Sequence, residues 1–378
     1  MDILQGSSDH SDAPTAIREA TAHWAADISP DILFVFHSSR QDSQAVATIL
    51  AESFPNTLIV GCSTAGEWIT GQHKNGALVL SGIKTAAIRW SMAVIEDIQA
   101  SPDVCAQHAC AELLQGLDLV RGDLNPKKHF CLSFFDAISA REEPVIAAMA
   151  HELGGIPLLG GSAGDDLKFK HTFVIANGQA YQNAALFVLA ESKIPFHTIK
   201  HQHFIPGTID VVISKADVDR RLVYHLDGMP AAQRYAQLLG LDMQDLTAQI
   251  FSDNPLIYLY GDECYVRSIR QICDGDGLEF SCAIEEGMVL NLCEHQNMVS
   301  EYDKLITEFN QHIGKAAFLL ICNCTYRALE GSDTNVNQLL ADKTTAIAKH
   351  MIGFDTYGEQ WQGLHVNQTM VALALGSE

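Results

Sequence analysis

The chain has 378 residues, 47% of them hydrophobic, which allows two domains, or three small ones, with a sizeable core. It carries 46 acidic and 24 basic side chains, a formal charge of −22. That field repels phosphate backbones and anionic lipid, which argues against nucleic acid and membrane surfaces as partners and favours a basic protein surface.

Residues 1–14 read as a mobile polar tail, with no basic stretch leading into an apolar core as a secretory signal would have. No apolar run approaches the roughly 20 residues of a membrane helix, so a cytoplasmic protein with reduced cysteines is expected. Thr15 to Ala26 is amphipathic and predicts a helix. DILFVF (Asp31 to Phe36) predicts a strand, HSSRQDS a loop, Gln44 to Ser53 a helix, and GALVLS (Gly76 to Ser81) another strand. The order recurs in HFCLSF (His129 to Phe134), FDAISAR and the helix Glu142 to Leu153. Asn177-Gly178, between apolar runs, signals a hairpin. The segment Ser192 to Gly207 holds Pro195, Pro206, His197, His201 and His203, and marks a boundary between domains 15–195 and 196–378. Beyond it, Ile209 to Ile213, Leu222 to Leu226, Pro255 to Tyr260 and Met288 to Leu292 predict strands. Pro230 to Leu239 and Val299 to Ile313 predict helices. AFLLIC (Ala317 to Cys322), a helix over Val336 to His350 and a strand over His365 to Leu375 close the chain.

One segment appears three times in outline. VGCSTAGEW (Val60 to Trp68), LGGSAGDD (Leu159 to Asp166) and IGFDTYGEQ (Ile352 to Gln360) each have an early Gly and a closing Gly-acid pair. The middle copy is one residue shorter. Each follows a strand, a loop and a helix, so the chain is built from repeated units, and a mixed α/β fold with sheets flanked by helices is expected. The Gly-acid turn has two readings. Glycine admits a ligand to the backbone, whose N–H groups can hold an anion, or it serves a tight turn whose acid caps the next element. With three copies, the structural reading is the better one for at least one of them.

Catalytic patterns are missing. There is no phosphate-binding G-x-x-x-x-G-K-[ST] loop and no G-x-G-x-x-G. Glu142-Glu143 and Glu285-Glu286 are adjacent, so each pair is expected to point apart into solvent. Asp274 to Gly277 (DGDG) reads as a plain turn, and the cysteine spacings match no zinc framework.

VGCSTAGE and GGSAGD resemble the N-terminal signatures of the FIST family of bacterial sensory domains. YHLDGMPA (Tyr224 to Ala231), FLLICNCTYR (Phe318 to Arg327), IGFDTYGE and HVNQT (His365 to Thr369) resemble its C-terminal ones. HFIPGT (His203 to Thr208), KAD (Lys215 to Asp217) and HVNQT are most similar to the NosP branch. That resemblance implies a non-catalytic, haem-based nitric-oxide sensor acting on a histidine kinase in two-component signalling, with a homodimer as one possible assembly. Haem would be the cofactor. His203 would ligate the iron, Phe204 and Pro206 would shape the pocket, and His365 would be the second candidate histidine. The alternative is a sensor of a small metabolite such as an amino acid.

Overall fold

The computed structural model describes residues 1–25, 28–261, 263–273, 275–332 and 335–378. Ala26 and Asp274, which fall in the expected first helix and in the DGDG turn, lie outside them. Short polar residues start the helices, as Asp12 and Asp42 do by accepting from the backbone N–H of Thr15 (3.1 Å) and Ala45 (2.7 Å).

Three units share one element order. The first runs β1 (Asp2–Ser8), α1 (Ala13–Thr21), β2 (Ile32–Ser38), α2 (Ser43–Ser53), β3 (Leu58–Thr64), the hairpin β4 (Glu67–Ile69) and β5 (Gln72–Lys74), and β6 (Leu78–Lys84). The second repeats it as β7 (Ile88–Glu96), α3 (Pro102–Gly116), β8 (His129–Phe135), α4 (Glu142–Leu153), β9 (Leu158–Ser162), β10 (Val174–Ala176), β11 (Gln179–Tyr181) and β12 (Ala184–Ser192). The third opens with β13 (Phe196–His201) and is then interrupted. The insertion holds β14 (Phe204–Asp217), β15 (Leu222–Leu226), β16 (Met229–Pro230), α5 (Ala231–Leu239), α6 (Ala248–Asp253), β17 (Leu256–Tyr260), β18 (Glu263–Arg267), β19 (Ile269–Cys273), β20 (Gly277–Phe280) and β21 (Val289–His295). The unit resumes with α7 (Met298–Ile313), β22 (Ala316–Cys324), α8 (Thr325–Glu330), α9 (Val336–Thr344), β23 (Ala348–Thr356), the hairpin β24 (Glu359–Trp361) and β25 (Leu364–Val366), and β26 (Met370–Leu375).

Each unit makes a four-stranded sheet, in the orders β1-β6-β2-β3, β7-β12-β8-β9 and β13-β26-β22-β23. The last two strands of each run parallel. The outer edge is closed by a hairpin from another unit. β10 pairs with β3, β24 with β9, and β4 with β23. The exchange is cyclic, so each unit gives one hairpin and receives one. The mixed α/β architecture read from the sequence is what the chain adopts.

The three Gly-acid turns meet where the hairpins cross over. Gly164 N–H donates to Ser63 O (2.9 Å), Ser162 N–H to Gly358 O (2.8 Å), and Asp355 N–H to Gly66 O (2.8 Å). The turns are so close that a Cβ on Gly66 would lie 2.2 Å from Asp355 Oδ2, and one on Gly164 2.7 Å from the Ala65 nitrogen. Phe36, Phe134 and Phe354, one from each sheet, pack in a triangle beneath, with centroids 5.9, 6.1 and 4.5 Å apart. The turn acids of units one and three are structural. Glu67 accepts from the Thr64 hydroxyl (2.5 Å) and Ala77 N–H (2.9 Å). Glu359 accepts from Thr356 and from the hydroxyl (2.7 Å) and N–H (3.1 Å) of Thr369. Burial raises both carboxyls to about 8, against the pull of these hydrogen bonds.

Several expectations change. The polar opening read as a tail supplies β1, paired with β6 from Asp2 to Ser8. The helix expected over Val336 to His350 stops at Thr344, because Ala348–Thr356 is a strand buried between β22 and β4. The closing strand splits into β25 and β26, and β7 and α3 had no counterpart in the sequence reading. Among the described residues no helix is long and apolar enough to cross a membrane.

Two measurements test the junction. Gly164→Val should lose about 1–3 kcal/mol or more by overpacking against the first turn. Gly122→Ala, where a Cβ meets nothing within 4 Å, should leave the thermal midpoint almost unmoved. For Glu359, whose folded carboxyl titrates near 8, the stability contribution is full below the ordinary carboxylate value of 4.5 and is lost as pH rises to about 8. Glu359→Gln should therefore flatten the fall in melting temperature between acidic and mildly alkaline pH, and an unchanged slope would refute the assignment.

Candidate functional cleft

The shortened middle turn has a local consequence. In units one and three the acid begins the hairpin directly, whereas in unit two a loop over residues 165–173 precedes β10. Asp165 is buried and gathers that loop, accepting from the N–H groups of Phe169 (2.7 Å), Lys170 (2.7 Å) and His171 (3.0 Å). It also accepts from the Tyr357 hydroxyl at 2.5 Å. Burial, and then this carboxylate, raise the phenol of Tyr357 above its ordinary value.

The loop faces the inserted sheet across a cavity of about 320 Å³. Phe169 stacks on Tyr357 (4.4 Å, 22°), and the Arg270 guanidinium lies 4.8 Å from the Phe169 centroid. Arg270 also donates to Glu279 at 3.0 Å. On the opposite wall Arg221 donates to Glu142 (3.1 Å), Glu143 (2.5 Å) and Ser281 O (3.1 Å). Burial opposes the charge on Arg221, but the two carboxylates outweigh it. Burial likewise raises Glu143, and His365 and Arg221 more than offset it, leaving its carboxyl below the usual value. The neighbouring acids expected to be solvated thus converge on one guanidinium, and Glu142 is 2% exposed.

The cleft wall is strained. Ala140, Phe169 and Arg221 line it with φ of 49°, 52° and 53°, and Asp166 and Leu167 beside them have 55° and 62°. Each such non-glycine residue costs on the order of 1–3 kcal/mol, and such strain clusters at ligand sites. At the mouth, the side chains of Asp219 and Arg220 have no hydrogen-bond or ion-pair partner among the described residues. Sequence reasoning touched this cleft only through the repeated turn that holds Tyr357 and through the Glu142–Glu143 pair, which it read as solvated, since the wall is assembled from distant segments. The only local hint was Arg220-Arg221 in a chain poor in basic residues.

His203 lies elsewhere, and its side chain is fully buried. Arg327, in the FLLICNCTYR motif, donates to His203 Nδ1 at 2.9 Å. A guanidinium can only donate, so Nδ1 accepts and the ring proton sits on Nε2, which faces both Glu330 oxygens at 2.9 Å. Burial lowers His203 despite that carboxylate, consistent with a neutral ring. Burial pushes Glu330 up, but hydrogen bonds from His203 and His295 prevail and hold it at about 2. Iron needs an imidazole lone pair, and this tautomer leaves none. As placed, His203 does not fit a haem ligand.

Phe204 packs against the His203 ring (4.2 Å) and inside a small apolar cluster with Ile257, Val266 and Cys293. Pro206 is exposed on β14 opposite Cys293. His365 belongs to the β24–β25 hairpin, with Nδ1 3.3 Å from Gln360 and a buried Nε2 that has no partner among the described residues. It neighbours Glu143 rather than the His203 group. Within HVNQT, Gln368 ties the insertion to the body through Ser252 O (2.7 Å) and the Ser268 hydroxyl (3.1 Å).

The FIST N domain matches residues 31–229 and the FIST C domain residues 231–362. An uncharacterized protein of Methanocaldococcus jannaschii is 25% identical over 244 residues, covering 60% of this chain and 45% of that protein. The chain thus spans about half the length of that curated relative. The crystal structure of cyanuric acid hydrolase from A. caulinodans covers 100% of this chain and 99% of its own at 10% identity, with a TM-score of 0.39, too low to carry an argument. With both domain matches together covering most of its length, and with the signature turns at its centre, the chain belongs to the FIST family of sensory, signal-transducing domains.

Proposed function

We propose that this protein senses a small zwitterionic metabolite, of the amino-acid type, in the cleft between its three-unit body and the inserted sheet. The observation that carries this reading is the unpaired Asp219 and Arg220 beside the Arg270–Phe169–Tyr357 stack. An ammonium meets Asp219, a carboxylate meets Arg220, and a carbon chain lies against the aromatic faces. Concave sites with a few convergent polar groups are the usual form of small-ligand pockets. A ligand touching both walls favours the arrangement in which they are close, and so shifts the insertion's position as the signal. Catalysis is not part of the reading.

A thermal-shift screen of the free amino acids tests it. At least one should raise the melting temperature of the wild type, and Arg220→Ala and Asp219→Asn should each weaken its binding about tenfold or more, as loss of a charge-assisted contact does. Both substitutions are exposed and leave the fold intact. If no amino acid stabilises the protein, or both variants bind as the wild type does, the proposal fails.

A second reading, a haem-based nitric-oxide sensor regulating a histidine kinase, keeps one supporting observation: His365 Nε2 has no hydrogen-bond partner among the described residues. Haem would bring a redox-active iron that binds diatomic gases. Haem titration separates the readings. With His203 Nδ1 occupied by Arg327, any stoichiometric Soret band should not depend on His203. A stoichiometric band lost in His203→Ala would overturn the tautomer argument, whereas one lost only in His365→Ala would move the iron to that hairpin.

A further inference from the structure

Two groups outside the cleft bring three potential metal-ligand atoms within 4.8 Å of one another: His203, His295 and Glu330, and His197, Glu308 and His312. The first is closed by the hydrogen bond from Arg327, which fixes a proton on the His203 nitrogen that faces Glu330. The second is open.

We propose that His197, Glu308 and His312 hold a divalent transition-metal ion, zinc by the chemistry of the set. Glu308 and His312 lie one turn apart on the same face of α7, and His197 reaches them from β13. The His312 Nδ1 lies 2.9 Å from the carbonyl oxygen of Glu308. A carbonyl only accepts, so Nδ1 carries the proton and Nε2 presents a lone pair, with the ring oriented as the outer-shell partner of a ligating histidine requires. The His197 Nε2 has no hydrogen-bond partner among the described residues and stands 3.8 Å from Glu308 Oε1. The two rings are parallel, 4.3 Å apart at 8°, and the Phe309 edge braces His197 at 5.6 Å.

Zinc bonds nitrogen and oxygen at about 2.0–2.2 Å in a tetrahedron, so closing on an ion takes side-chain rotations that draw these atoms together and tilt the two stacked rings until their in-plane lone pairs converge. Glu308 and His312 are exposed, which leaves them free to make them. Three protein ligands leave a fourth position for water. The place matters as well. β13 runs directly into the insertion, and α7 begins where the insertion ends. An ion joining His197 to α7 would pin together the two segments on which the inserted sheet is mounted, independently of what fills the cleft.

The experiment is calorimetric zinc titration of the full chain, with cobalt substitution read by absorption. One ion per chain should bind at micromolar concentration or tighter and raise the melting temperature. Its affinity should fall about tenfold or more in His312→Ala and in Glu308→Gln, the lower bound expected for weakening a metal site. His295→Ala should bind as the wild type does. His197→Ala also removes a contact with Phe309, so the two exposed helix positions decide. The proposal is overturned if the wild type takes up no zinc, if both helix variants bind normally, or if His295→Ala alone loses the ion. A cobalt spectrum with thiolate charge-transfer bands would place the ion on cysteine and overturn it too.

Discussion

The structure depends on a shortage of backbone partners. Each unit's own sheet ends at β3, β9 or β23, strands buried in the interior whose outer N–H and C=O groups must be bonded. No unit can supply the missing strand from its own turn, because that turn carries the hairpin away to a neighbour. The cyclic exchange satisfies all three of these inner edges. The Gly-acid signatures are the crossing points of this exchange, which explains their small residues and their mutual backbone hydrogen bonds.

The deviations from threefold equivalence are where the chemistry lies. Where β8 has Gly161 beside it, the matching place on β23 is Phe354, and a Cβ on Gly161 would come within 2.9 Å of that ring. One copy gives up volume so that another can fill the axis. The middle turn, one residue short, frees a loop to face the insertion and become a cleft wall. The third unit admits the insertion itself. Arg327 and Gln368, from the C-terminal motifs, then face the insertion rather than a solvent pocket, Arg327 through His203 and Gln368 through Ser252 and Ser268. In this chain their role is to hold two bodies in register.

The strands of the body were legible because apolar runs bounded by turn residues report burial directly. The Asn177-Gly178 turn was legible because two positive φ angles, here 40° and 93°, select that pair. β1 was hidden by polar composition, since Gln5, Ser7 and Ser8 sit in a strand held by its pairing with β6 and by long-range side-chain bonds such as that from Gln5 to Met351 O (2.9 Å). The donors of the exchanged hairpins were not legible, because a hairpin's sequence fixes its turn and not the sheet it joins. His203 looked like a ligand because it combines an aromatic neighbour with a rigid proline. What decides its chemistry is Arg327, which is 124 positions away. The cleft was invisible for the same reason, being assembled from separate loops.

The cyclic exchange also sets an order of completion as the chain emerges. The hairpin made at Glu67–Lys74 waits for β23, where Ile69 finally meets Ile352, while β3 waits for Val174–Ala176. A nascent chain therefore displays an open strand edge and an orphan hairpin for most of its synthesis. Long-range pairing of this kind folds slowly and leaves sticky edges exposed in the meantime. Folding yield in the cell then depends on keeping those edges apart until β23 is made.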